Sequence, residues 1–157
     1  MPHTVWTFLE QVRAGLYEDG GFSFYTNAQH ILKGGPKANH LTSKERSDRV
    51  KAFKDSPYGR LQFPEYSPNM PHEKYTLGMS GRPGGPDIYV NMVDNSVNHG
   101  PGGYAKDGTG DPCFGKVIVG TDVIDRIRKA SAGGVVPHGK WIKTEPGPIA
   151  VKSVKII

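Results

Sequence analysis

Glycine and proline decide where this chain can hold regular structure. They gather at Gly20-Gly21, at Gly34-Gly35-Pro36, through Ser80-Gly81-Arg82-Pro83-Gly84-Gly85-Pro86, and along the stretch from Asp94 to Pro112. Pro57, Pro64, Pro68 and Pro71 break a further region. Proline removes a backbone donor and glycine is costly to order, so strands and helices must fit between these clusters. With 21 Gly and 13 Pro in 157 residues and no repeat period, the distribution suits a β-rich domain with long ordered loops. It argues against a helical bundle or a low-complexity tract.

The gaps read as follows. Val5, Phe8, Leu9, Val12 and Leu16 recur on one face of a first helix, with Pro2 and Thr4 at its start and Asp19-Gly20-Gly21 at its end. Phe22–Tyr25 and His30–Lys33 follow as short strands. Thr42-Ser43-Lys44-Glu45 is a capping box that opens a surface helix running to about Lys54, in which only Val50 and Phe53 can be buried. Tyr75–Met79, Ile88–Met92 and Cys113–Val119 read as strands, and the glycine-rich run between Asp94 and Pro112 as a loosely packed loop. Thr121 or Asp122 caps a helix carrying Val123, Ile124 and Ile127, and Ile149–Ile157 closes the chain as a strand. The order predicts an α+β fold, mainly β: a barrel or curled sheet with helices at its ends.

Charge and cysteine usage narrow the function. The net charge is +5, but the basic run from Lys44 to Lys54 is interleaved with Glu45 and Asp48 and followed by Asp55, as expected of a solvated helix face. Nucleic-acid binding is not expected. A single Cys excludes an internal disulfide and leaves the compartment open, with a reducing, cytoplasmic one favoured. No stretch of the sequence is apolar enough to span a membrane. The six His residues show no ligand spacing, so neither a metal nor another cofactor is expected.

Five segments, in order, resemble the cyclophilin-type peptidyl-prolyl cis-trans isomerases. They are Pro2–Val12; Phe22 through Lys33-Gly34-Gly35; Tyr75–Ser80; Cys113-Phe114-Gly115-Lys116-Val117 running on to Gly120-Thr121-Asp122-Val123-Ile124-Asp125; and Ile149–Ile157. The resemblance implies one cyclophilin-like domain over residues 1–157, with a closed or partly open β-barrel capped by helices. It also implies that the family's first two strands are missing and would come from upstream sequence. The implied activity is isomerisation of Xaa-Pro bonds in proline-containing peptide or protein segments.

Side chains depart from the family where its chemistry lies. Phe24 stands at the position of the family's arginine, Lys33 at the Gln of Gln-Gly-Gly, and Ser80-Gly81 at Ala-Asn. Asp87-Ile88-Tyr89 replaces Gln-x-Phe, and Asp111 falls where the groove His would lie. The groove implied by the resemblance comprises Ile31, Lys33, Ser80, Gly81, Asp87 and Tyr89, with Ile31 and Tyr89 keeping apolar roles. Isomerisation must break amide resonance against a barrier of about 18–20 kcal/mol. The implied arginine would donate to the twisted amide, and Phe24 cannot; Arg82 or Lys33 are the substitutes in reach. Weak or lost isomerase activity is therefore expected, and a non-catalytic proline-peptide-binding or scaffold domain is the alternative.

Overall fold

The computed structural model describes residues 1–18, 21–26, 28–36, 42–81, 83–104, 108–130 and 149–157. Its elements are α1 (Pro2–Arg13), β1 (Phe22–Tyr25), β2 (Ile31–Gly35), α2 (Ser43–Asp55), β3 (Thr76–Met79), β4 (Ile88–Asn91), α3 (Ser96–His99), β5 (Cys113–Lys116), α4 (Thr121–Ala130) and β6 (Ile149–Val151). The six strands form one antiparallel sheet in the order β5-β3-β4-β2-β1-β6. The architecture is α+β.

The expected barrel is not closed. β5 pairs only with β3, β6 only with β1, and no strand among the described residues bridges these two edges. Two predicted strands are also shorter than expected. β5 stops at Lys116, after which Ile118 and Val119 project 88% and 85% exposed, and β6 stops at Val151.

Because strand side chains alternate, the register assigns every residue to a face. Phe22, Phe24, Leu32, Ile88, Val90, Leu77 and Met79 lie on the inner face, where they build two adjoining apolar clusters. One joins Phe22, Met79, Ile88, Leu61 and Phe114 beneath Val12 and Phe8 of α1. The other joins Leu32, Val90 and Met92 beneath Ile124 and Ile127 of α4. The outer face carries Tyr25, Lys33, Ile31, Tyr89, Asn91, Gly78, Thr76 and Cys113.

Helix α1 is rotated from its apolar stripe. Its buried residues are Thr4, Thr7, Gln11 and Val12, while Val5 is at the surface. Long-range polar partners cause the rotation. Gln11 Nε2 donates to the Tyr58 carbonyl at 2.6 Å, and its Oε1 accepts from the Tyr17 hydroxyl at 2.7 Å. Glu65 Oε2 accepts from the Thr4 N–H at 2.8 Å and from Thr4 Oγ1 at 2.6 Å. The Glu65 bond to the Thr4 N–H satisfies a first-turn donor that α1 has no capping side chain to serve.

Partial burial of the Glu65 carboxylate opposes ionisation, but its hydrogen bonds from Thr4 and His3 outweigh that and hold its pKa below the ordinary 4.5. A depressed carboxylate contributes stability above its unfolded pKa and loses it as pH falls through the folded value. Glu65→Gln should therefore destabilise the protein at pH 7 and shrink that deficit below about pH 4. Urea midpoints of both proteins at pH 7 and pH 3 measure it; an equal deficit at both values would contradict the assignment.

Helix α2 starts where the sequence predicts, with both halves of the Thr42–Glu45 capping box formed. Phe53 is buried, and Val50 is half-buried one helical turn before the exposed Lys54. The helix thereby carries Val50 and Lys54 on one stripe.

Candidate functional site

Between the C-terminal half of α2, the end of β2 and the turn joining β3 to β4 lies a cavity of about 380 Å³. Hydrogen bonds brace the turn side of it. Ser80 N–H donates to the Asp87 carbonyl at 2.7 Å, Gly85 N–H to Ser80 O at 2.8 Å, and Leu61 N–H to Gly84 O at 2.8 Å. The last bond draws the chain at 59–61 against the turn. A Cβ on Gly85, whose φ is +99°, would lie 3.0 Å from Gly59 O and 3.3 Å from Arg60 Cα. Only glycine allows that backbone approach at that φ. Its consequence is to hold Arg60 at the cavity wall.

Four of the six predicted groove residues meet here: Lys33, Ser80, Gly81 and Asp87 all line the cavity. Lys33 Nζ lies 3.0 Å from Asp87 Oδ2, both side chains being half-buried. Tyr25, opposite Lys33 in the register, also bonds Asp87 through its hydroxyl. Burial, then the Asp87 charge and that hydrogen bond, raise the Tyr25 phenol above its ordinary pKa. One carboxylate thus engages both the Lys33 ammonium and the Tyr25 hydroxyl.

Ile31 and Tyr89 are not brought to the cavity. Tyr89 is 1% exposed, covered by His99, whose ring stacks on it at 4.6 Å, with His72 at 6.0 Å. His72 Nε2 donates to Asp111 O at 3.0 Å, leaving Nδ1 to accept from Asn91 Nδ2 at 3.3 Å. Burial holds the His72 imidazole below its usual pKa, consistent with this neutral form. His99 Nδ1 meets Asp111 Oδ2 at 2.7 Å, and Asn95 Nδ2 bonds Asn91 Oδ1 and the His30 carbonyl, each at 2.9 Å. The described residues of the glycine-rich segment after Asp94 are therefore docked over the outer face through Asn95, His99 and Asp111, which corrects the expectation of a loosely packed loop there. Asn95 finds Asn91 of β4 and the His30 carbonyl, and Asp111 accepts from the Tyr89 hydroxyl of β4, which favours docking over solvation. Among the described residues no group of His, Cys, Asp and Glu could hold a metal ion, this cluster included.

Phe24 does not face the cavity. It is paired with Gly34, where it and Phe22 share the space that a Cβ would take, and it packs against the Leu32–Val90 cluster on the inner face. The residue of β1 turned toward Lys33 is Tyr25. Arg82 lies outside the described residues. The sequence reading missed Tyr25, Val50, Lys54 and Arg60. For Val50, Lys54 and Arg60 there was no signal, because they belong to a region read as surface helix and connection. For Tyr25, strand alternation opposite Lys33 was available.

The antiparallel sheet thus carries α1 and α4 on its inner face and holds a cavity beside the end of β2 and the turn that joins β3 to β4. The family model described as cyclophilin type peptidyl-prolyl cis-trans isomerase/CLD matches residues 1–154. This chain belongs to that family. No curated protein matches the sequence. Among the described residues no helix is long and apolar enough to cross a membrane.

Proposed function

We propose that residues 1–157 act as one cyclophilin-type domain that takes Xaa-Pro segments into the cavity at Lys33, Ser80, Gly81 and Asp87, and isomerises them slowly or not at all. The observation that carries this reading is the convergence of Lys33 of β2 with Ser80, Gly81 and Asp87 of the distant β3–β4 turn on one cavity with apolar walls at Pro36, Val50 and Pro86. A pyrrolidine ring can bury its methylenes against such walls while the braced turn holds its shape. The engagement of Lys33 and Tyr25 by Asp87 leaves those donors satisfied before any peptide arrives, which favours binding over catalysis.

The test is titration of the isotope-labelled protein with a capped Ala-Ala-Pro-Ala peptide, followed by amide NMR. Shifts are expected at Lys33, Ser80, Gly81 and Asp87, with Ile31 and Tyr89 little changed. Shifts confined to other surfaces, or none at millimolar peptide, would remove the reading.

A further inference from the structure

We infer that this cavity selects proline segments carrying an anionic side chain, carboxylate or phosphate, at one of the two positions before the proline. The inference rests on the proline-segment reading above and adds a charge preference to it.

The cavity wall holds three cations, Lys33, Lys54 and Arg60, against one carboxylate, Asp87. Asp87 is already matched by Lys33 at 3.0 Å and by the Tyr25 hydroxyl. Lys54 and Arg60 are exposed, and neither has a carboxylate at ion-pair distance among the described residues. They differ in this from Lys44 and Lys51 on the same helix, which are tied to Asp48 and Asp55. Two exposed cations without a carboxylate partner among the described residues thus stand at the cavity wall, and Val50, Pro36 and Pro86 supply apolar wall beside them.

That pairing of an apolar seat with unmatched charge suits a composite ligand. A free anion would use the cations and leave the apolar wall wet, and a neutral proline segment would do the reverse. Arg60 offers a planar fork that accepts a carboxylate or phosphate with two parallel hydrogen bonds, while Lys54 adds a point charge. At an exposed rim each contact is screened and individually weak, so the preference should be modest and salt-sensitive.

The test uses capped peptides with Glu, phosphoserine, Ala or Lys at the two positions before proline, and a Glu peptide in which Ala replaces the proline. Dissociation constants would be measured by calorimetry and NMR at about 20 mM and about 300 mM salt. The Glu peptide should bind about fivefold tighter than the Ala peptide at low salt, and the Lys peptide weaker than either. Phosphoserine, with its higher charge, should exceed Glu. A phosphoserine preference without any Glu preference would support the site and identify phosphate as its ligand. The double variant Lys54→Glu/Arg60→Glu, changed at exposed positions only, should keep the melting temperature and reverse the order toward the Lys peptide.

Equal affinities for Glu, phosphoserine and Ala peptides would overturn the inference and leave proline binding standing. Equal binding of the Glu peptides with and without proline would support the anion seat and overturn the proline reading. No binding by any of the peptides would overturn both.

Discussion

An alanine at position 78 is expected to lower the stability of this protein by about 3 kcal/mol, although it adds one methyl group. Gly78 of β3 lies directly opposite Tyr89 of β4, and the tyrosine ring folds back across it. A Cβ there would stand 2.2 Å from the ring carbon bearing the hydroxyl and 2.3 Å from the hydroxyl oxygen. An exposed ring could swing away, but this one is stacked beneath His99, with His72 packed beside both. Relief would require His99 to lift from the ring, giving up that stack and pulling on Asn95, which bonds Asn91 of β4. In a chain of this size the loss corresponds to a melting temperature about 6–12 °C lower.

The check is a double-mutant cycle by urea unfolding. Tyr89→Ala alone opens a cavity and should cost about 3–5 kcal/mol. Gly78→Ala in that background should be nearly free, so the double variant falls short of the sum by more than about 1 kcal/mol. Strict additivity would mean that ring and glycine do not oppose each other.

The parts of this structure legible in the sequence were those specified by neighbours along the chain. The Thr42–Glu45 capping box needs only four consecutive residues, and it formed as expected. The strand from Cys113 and the helix from Thr121 were similarly local, apart from the end of the strand. What sequence could not show were partners brought from a distance. The face of α1 turned because Thr4 and Gln11 bond to Glu65 and Tyr58, residues of a connection with no periodicity to read. Glycines between Asp94 and Pro112 suggested a loop with little to pack, yet Asn95 and Asp111 bond to Asn91 and Tyr89 of β4 and His99 stacks on the Tyr89 ring. Part of the cavity wall was legible through family resemblance, at Lys33, Ser80, Gly81 and Asp87. Val50, Lys54 and Arg60 reach it only because α2 and the chain after it fold back against the turn.

Prolyl isomerisation by this protein should run at least about a hundredfold below an ordinary family member, the loss seen when one donor to a transition-state oxygen or nitrogen is removed in comparable sites. Phe24→Arg should not restore it. Phe24 belongs to the inner face with Leu32 and Val90, so arginine there would withdraw an aromatic ring from the core and bring a charge to apolar neighbours. The expected result is a stability loss of about 2–3 kcal/mol with no gain in rate. Arg60 stands at the cavity but in water, where a donor stabilises a developing charge far less than in a dry, preorganised site. The more promising donor is Lys33, and Asp87 is what holds it. Asp87→Gln keeps an acceptor for the Tyr25 hydroxyl while releasing the ammonium. It should raise kcat/KM on a short Xaa-Pro peptide by up to about tenfold, and Asp87→Gln with Lys33→Met should return the rate to the starting level. A protease-coupled isomerisation assay on these three variants and the parent separates the two routes. Recovery with Phe24→Arg but not Asp87→Gln would place the reacting peptide on the inner face and overturn the assignment of the cavity.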